Sequence, residues 1–189
     1  MSRKVLCGSV VALALAGCGG GGGSNPPDYT GKGYTQWTVA SGGNGHWYKA
    51  TTNAAVNSWT DAEKACEADG GHLATLTSAE ENAFVFTLVD QPSLWQLWNG
   101  NHGIGFWIGG HAPEPRATPD TGWTWVTGEP WSYTSWVSGD PGNGSGIEDE
   151  LLYASTDTQP QPNWGDFSSQ ETAVHTYVSE IDSFHPVTN

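Results

Sequence analysis

The sequence predicts one domain of the α+β class, with two short helices first and short strands in long loops after them. Two helix starts are marked by a Ser or Thr followed three residues later by Glu, each leading into apolar residues at helical spacing. After about residue 100, short clusters of bulky residues alternate with turn formers. The chain has 11 Trp residues, which supply the large apolar side chains for a core.

The first helix is predicted over about residues 59–69. Thr60 and Glu63 form its capping-box pair, and Gly70 and Gly71 end it. An apolar face repeats between these two signals. The segment therefore predicts a short amphipathic helix.

A second helix is predicted where Ser78 and Glu81 repeat the capping pattern and apolar residues recur between positions 83 and 88. Strands are predicted from bulky runs bounded by turn formers. These runs are 46–50, 72–76, 106–109, 122–126 and 176–181.

The N-terminus predicts a lipoprotein signal peptide over residues 1–17. Arg3 and Lys4 precede an apolar run that is too short to span a bilayer. The run ends in Leu-Ala-Gly-Cys, which resembles the bacterial lipobox and implies cleavage before Cys18 and acylation of its sulfur. An ordinary secretory peptide with an incidental cysteine is the alternative.

Residues 18–45 are predicted as the lipidated Cys and a Gly- and Pro-rich tether, which leaves residues 46–189 as the folded domain. Residues 28–45 are rich in Gly, Thr and Ser, and this composition predicts a loosely structured segment. An Asp directly after the lipidated Cys would resemble an inner-membrane retention signal. This chain has Gly19 at that position. The expected location is therefore the cell envelope, lipid-anchored at the outer membrane, with the domain facing either the periplasm or the exterior.

Charge narrows the choice of partners. The chain has 20 acidic and 6 basic residues, and its net charge is −14. This excess argues against nucleic acid and against electrostatic binding to anionic lipid surfaces, and it is compatible with cation binding.

The segment after residue 117 contains no Lys or Arg, and several of its acidic residues cluster between positions 140 and 166. Crowded carboxylates repel one another unless they are solvated, protonated or neutralised by a metal ion. Ca²⁺, which prefers oxygen ligands, would meet that need. On charge alone, a solvated acidic loop is the favoured alternative, and residues 140–145 do not fit the EF-hand pattern.

Several segments, in this order, resemble the C-type lectin family over residues 46–182. They are the two-helix half at 59–82, Trp-Ile-Gly-Gly at 107–110, the long-loop segment between 123 and 149, and Asn-Trp-Gly-Asp at 163–166. The resemblance implies a C-type lectin-like fold, with two helices packed on small antiparallel sheets and a long ligand-binding loop.

In that family, a Ca²⁺ held by the long loop binds vicinal sugar hydroxyls. The resemblance implies Asp140, Glu148 and Asp166 as first-line ligands of Ca²⁺ in this chain. Asp140 stands first in the family's Glu-Pro-Asn or Gln-Pro-Asp tripeptide, and Asp166 matches the Asp of its Trp-Asn-Asp motif. Further metal ligands are expected among Asn143, Asp149 and Asn163, and the sugar-contacting set is Asp140, Asn143, Glu148 and Trp164. For Trp164, packing in the core is the favoured alternative.

The chain also departs from the family pattern. Gly142 and Gly165 replace two expected amide residues, which weakens the sugar-contacting geometry. Cys66 matches the family's helix cysteine, but Ser179 and Glu150 stand where other cysteines are expected. The predicted domain therefore has no internal disulfide, and Cys66 is expected to be a small buried residue.

The leading functional prediction is a lipid-anchored protein that binds carbohydrate with the help of Ca²⁺. A protein-binding or structural surface module that does not bind sugar is the alternative. A glycoside hydrolase using Glu148 and Glu150 is disfavoured, because the sequence offers no nucleophile elbow, phosphate loop or zinc signature. The six His residues show no metal-ligand spacing, and residues 111–121, with Arg116, are predicted as a surface loop.

Overall fold

The structure is a computed structural model that describes residues 27–168 and 174–183. Its elements are β1 Thr35–Gln36, β2 Trp47–Thr52, α1 Trp59–Asp69, β3 His72–Leu73, α2 Ala79–Val89, β4 Gln96–Trp98, β5 His102–His111, β6 Thr124–Trp125, β7 Glu148–Ala154, β8 Asn163–Ser168 and β9 Thr176–Ile181. The predicted α+β class is confirmed. The predicted signal peptide and Cys18 lie outside the described residues. Within the described ranges, no helix has the length and apolar character needed to cross a membrane.

The first helix spans the predicted residues, but its N-cap lies two residues before Thr60. The Ser58 hydroxyl accepts the Asp61 N–H at 3.1 Å, so Ser58 is the N-cap. Thr60 lies inside α1, and Glu63 is not a capping partner. Its carboxylate instead accepts the Leu73 N–H at 2.7 Å and joins α1 to β3.

The second helix begins as predicted. The Ser78 hydroxyl accepts the Glu81 N–H at 3.1 Å. The buried Glu81 carboxylate accepts the N–H and hydroxyl of Thr77 at 2.7 and 2.9 Å, and the Tyr48 hydroxyl at 2.6 Å. These bonds connect the first turn of α2 to β2.

The strands form one sheet rather than the separate antiparallel sheets expected. Its order is β1-β2-β9-β5-β7-β8, with β3 on β9 and both β4 and β6 on β5. A single parallel pairing, between Trp107 of β5 and Tyr177 of β9, joins the two antiparallel parts. All six residues of β9 are buried, so this strand is the centre of the domain.

The sheet begins within the segment predicted as tether. Thr35 and Gln36 of β1 pair with β2, and the Trp37 ring stacks on Phe84 of α2 with a centroid distance of 5.6 Å. The packed structure therefore extends to the N-terminal side of residue 46.

The core is aromatic, as predicted. Trp107, Trp123 and Trp125 are all buried. Cys66 is a free buried cysteine beside Ser179, the residue that stands in the position of the family's partner cysteine, and burial raises the pKa of the Cys66 thiol. The predicted packing role of Cys66 is confirmed.

Candidate functional site

The long loop of residues 126–147 connects β6 to β7 and is attached to β8 by backbone hydrogen bonds. The Val137 N–H donates to the Trp164 carbonyl at 2.8 Å, and the Trp164 N–H donates to the Ser135 carbonyl at 2.7 Å. This attachment places Asp140 next to Gly165 in β8. The loop is thereby fixed at the strand that carries Asp166.

A cavity of about 280 Å³ lies between the loop, β7 and β8. The three predicted first-line ligands of Ca²⁺ all line it. Trp98 and Phe167 also line it, with ring centroids 4.9 Å apart, and Trp98 is exposed. The cavity therefore combines carboxylates with an accessible aromatic ring.

Asp166 holds the loop in place from within. Its Oδ1 accepts the Gly142 N–H at 2.9 Å, and its Oδ2 accepts the Asn143 N–H at 2.6 Å. Asp166 is 4% exposed, so these charge-assisted hydrogen bonds are shielded from water. Asp166 sets the path of the loop immediately after Asp140 and Pro141.

Glu148 begins β7 and closes the other end of the loop. Its carboxylate accepts the Gly144 N–H, and its own N–H donates to the Asn143 side-chain oxygen at 3.2 Å. Burial raises the pKa of Glu148, and the Gly144 hydrogen bond opposes that effect. Asn143 is used within the loop and does not line the cavity.

Asp140 differs from Asp166 and Glu148, because its carboxylate is not occupied by hydrogen bonds from the loop. Within residues 27–168 and 174–183, no group donates a hydrogen bond to its side chain. Burial raises its pKa to about 7, and the negative charges of Asp166 and Glu148 add to the shift. A cation at this position would favour the ionised form of Asp140.

Gly165 leaves room for this carboxylate. A Cβ at position 165 would lie 2.8 Å from Asp140 Oδ2 and 2.9 Å from the Ala154 Cβ. The departure from the family's Asn is therefore coupled to the position of Asp140. Position 142 differs, because a Cβ there would meet no atom closer than 3.8 Å.

Arg116 is a basic partner that sequence reasoning missed. The expectation of a surface loop is wrong for its side chain, which is only 2% exposed. Its Nη2 donates to the Glu148 carbonyl at 2.5 Å and lies 3.7 Å from Asp166 Oδ2, and its guanidinium lies 5.0 Å from the Trp123 ring centroid. The available signal was an isolated Arg shortly before a Trp-rich segment in a strongly acidic chain.

The three carboxylates share a cavity without converging on one point. In the described part of the chain, the only three His, Cys, Asp or Glu residues whose potential ligand atoms all lie within 4.8 Å of one another are His46, Glu180 and Asp182. A Ca²⁺ ion at the long loop would therefore draw Asp140 and Glu148 closer together.

The remaining predicted site residues lie elsewhere. Asp149 and Asn163 do not line the cavity, and the Asn163 side chain donates to the Ser135 carbonyl at 3.3 Å. The prediction that Trp164 contacts sugar is wrong. Trp164 is 0% exposed, and its indole N–H donates to the Asn82 side-chain oxygen at 3.0 Å, because it anchors the aromatic core.

Two N-capped helices, a sheet that ends beneath a long loop, and carboxylates at that loop define a loop-bearing binding module. The family profile described as Lectin C-type domain matches residues 55–172. The chain belongs to the C-type lectin family.

The similar proteins include a curated relative and solved structures. C-type lectin lectoxin-Lio1 of Erythrolamprus poecilogyrus is 32% identical over 136 residues, which is 71% of this chain and 68% of that protein. The cow CD23 carbohydrate-recognition domain, solved in the presence of GlcNAc2Man3 oligosaccharide, has a TM-score of 0.54 at 19% identity, over 74% of this chain and 90% of that one. A calcium-independent type II antifreeze protein has a TM-score of 0.56 at 21% identity, over 80% and 93%. These structures support the fold alone.

Proposed function

We propose that this domain binds carbohydrate through a Ca²⁺ ion held by Asp140, Glu148 and Asp166. The observation that carries the proposal is the Asp140 carboxylate, which is desolvated beside two other acidic side chains and receives no hydrogen bond from the described residues. A divalent cation would remove this unfavourable charge, and ionised carboxylates are suitable ligands for Ca²⁺.

The donor set fits the ion. Each carboxylate has about four lone-pair positions, and the backbone N–H groups use only one or two of them on Asp166 and Glu148. When bound, Ca²⁺ would supply coordination positions for sugar hydroxyls. Asp140, Glu148 and Asp166 would hold the ion, Asp140 and Glu148 would also accept hydrogen bonds from those hydroxyls, and Asp166 would keep the loop in position.

Calorimetry with Ca²⁺ tests the metal part of this proposal, using the chain from residue 18 with Cys18→Ser. The expected result is one saturable event that disappears in Asp140→Asn. Asp90→Asn is the matched control, because Asp90 is exposed at the end of α2 and should leave the heat unchanged. No heat from the unaltered domain at millimolar Ca²⁺ would remove the metal from the account.

The second candidate is a binding module that uses neither calcium nor sugar. Arg116 favours it, because this guanidinium already lies 3.7 Å from Asp166 and helps to neutralise that carboxylate without a metal. The family resemblance also extends to a calcium-independent antifreeze protein. A glycan array with and without EDTA separates the two candidates, since EDTA-sensitive retention of a sugar fits only the first.

We also propose that Cys18 carries lipid and anchors the domain in the cell envelope, at the outer membrane. The lipobox-like tetrapeptide before Cys18 and the charged, apolar segment ahead of it support this assignment. Metabolic labelling with a palmitate analogue tests it. Label should appear in the full chain and be absent from Cys18→Ser.

A further inference from the structure

A second group of metal-ligating side chains lies on the central strand, away from the long loop. Glu180 lies in β9 and Asp182 follows it two positions later, so their side chains leave the same face. His46 directly precedes β2, whose Trp47 pairs with Ile181, and His72 of β3 pairs with Glu180. Two imidazoles therefore flank two carboxylates across three adjacent strands.

The distances within this group are short. His46 Nδ1 lies 2.6 Å from Glu180 Oε1 and 3.6 Å from Asp182 Oδ1. His72 Nε2 lies 3.3 Å from the same Asp182 oxygen. The His46, Glu180 and Asp182 ligand atoms are all within 4.8 Å of one another. Small side-chain shifts would place them around one ion.

The hydrogen bond made by the other nitrogen of His72 is informative. His72 Nδ1 lies 2.8 Å from the Leu73 carbonyl oxygen, which accepts only, so Nδ1 must donate. In the neutral ring, Nε2 then presents a lone pair to the Asp182 carboxylate. That contact is attractive only when a proton or a metal cation lies on Nε2. Metal-binding histidines commonly donate their second nitrogen to a carbonyl in this way.

The carboxylate at the base of the group is also held by neighbouring residues. Glu180 is 1% exposed, its Oε2 accepts the Thr75 N–H at 2.8 Å, and its Oε1 lies 3.0 Å from the Tyr48 hydroxyl, which it shares with Glu81. These bonds fix its orientation on rigid strands, as a metal site requires.

The group is open to solvent on one side. A cavity of about 270 Å³ is lined by His46 and Asp182 together with Thr127 and Glu129. The Asp182 side chain is 65% exposed, so an ion can reach it directly. Glu129 lies at the same cavity and adds negative charge to the approach.

We propose that His46, His72, Glu180 and Asp182 form a site for a divalent transition-metal ion of the Zn²⁺ class. Imidazole nitrogen mixed with carboxylate oxygen matches the ligand preference of Zn²⁺, whereas Ca²⁺ prefers oxygen alone. The proton between His46 and Glu180 passes to solvent when the ion binds. The site does not depend on the Ca²⁺ proposal, since the two share no residue.

Titration with Zn²⁺ alone tests the site, using the tag-free chain from residue 18 with Cys18→Ser, followed by calorimetry and by thermal unfolding. We expect one equivalent of Zn²⁺ to bind and to raise the melting temperature. Asp182→Asn and His72→Gln should each weaken binding at least tenfold. Asp182 is mostly exposed, so its variant should fold normally.

His102→Gln and Asp90→Asn are the controls for this titration. His102 and Asp90 are both exposed and lie outside the group, so both variants should bind Zn²⁺ like the unaltered chain. The proposal is overturned if the unaltered chain gives neither heat nor thermal shift with Zn²⁺, or if Asp182→Asn binds it equally well.

Discussion

The Nη2 atom of Arg116 lies 3.7 Å from Oδ2 of Asp166, and these side chains are only 2% and 1% exposed. Asp166 in turn accepts two N–H groups from the long loop. A buried cation from outside the long loop therefore lies beside the carboxylate that holds the loop. The path of the loop around the cavity is fixed partly by protein groups, and a bound Ca²⁺ would add to this arrangement rather than create it.

Replacing Arg116 with Met should lower the free energy of unfolding by about 3 kcal/mol, because it leaves Asp166 buried without its cation. Urea denaturation in EDTA measures this loss. Arg116→Lys should recover only part of it, since an ammonium lacks the forked donors that reach Glu148 and Ala112. A loss below about 1 kcal/mol for Arg116→Met would contradict a structural ion pair.

The free energy of unfolding of the metal-free domain should also depend on pH, because Asp140 titrates. Its folded pKa, about 7, is above the ordinary value of 3.8, so the unfolded chain ionises first. Between these values the native state binds more protons than the unfolded state. This group therefore favours folding at acid pH, and its contribution is lost as pH rises to 7.

Asp140→Asn should accordingly stabilise the metal-free domain at pH 8 and have a smaller effect at pH 5. Thermal unfolding in EDTA at both pH values checks this. Equal effects at the two pH values would show that Asp140 does not titrate in this range. In the unaltered domain, Ca²⁺ binding should weaken as the pH falls below 7, because protons compete with the ion for Asp140.

Substitution by Asn should have different effects at Gly142 and Gly165, the two positions where the family has an amide residue. Gly142→Asn brings its Cβ no closer than 3.8 Å to Asp140 and restores the amide that the family has at this position, so it should be tolerated and should tighten Ca²⁺ binding several-fold. Gly165→Asn would press on Asp140 and Ala154 and should cost about 1–3 kcal/mol of stability. Calorimetry and urea denaturation of this pair provide the comparison. Tighter Ca²⁺ binding by Gly165→Asn would contradict the assigned packing.

Ser179→Cys should create a disulfide with Cys66, because these two side chains are in contact between α1 and β9. A disulfide that closes the segment between residues 66 and 179 should stabilise the domain by about 2–4 kcal/mol. The gain should appear under oxidising conditions, disappear with a thiol reductant and be absent in Ser179→Ala. An unchanged melting temperature with the thiols still free would show that their geometry does not permit the bond.

Local signals predicted much of the fold. The Ser78 cap, the Gly that ends α1 and the bulky run of residues 176–181 specify their elements without tertiary information. Motif order grouped Asp140, Glu148 and Asp166, and these three residues line one cavity, while their role as Ca²⁺ ligands stays a prediction. Local patterns favoured packing for Trp164 but left sugar contact open, because its burial depends on how the long loop covers β8.

The residues that sequence reasoning missed make contacts with residues that are distant in the sequence. Arg116 reaches Glu148 and Asp166 from a loop that has no periodic pattern. His46 meets Glu180 through strand register, at a sequence separation of 134 residues. Spacing rules for metal-binding histidines apply to ligands that are close in sequence, so they could not identify this group.

A glycan array probed in Ca²⁺ and again after EDTA tests the central claim most directly, with the unaltered domain and Asp140→Asn side by side. We predict retention of at least one carbohydrate that is lost with EDTA and absent in the variant. Retention that is insensitive to EDTA and equal in both proteins, or no retention of any glycan, would contradict Ca²⁺-dependent carbohydrate binding at this cavity.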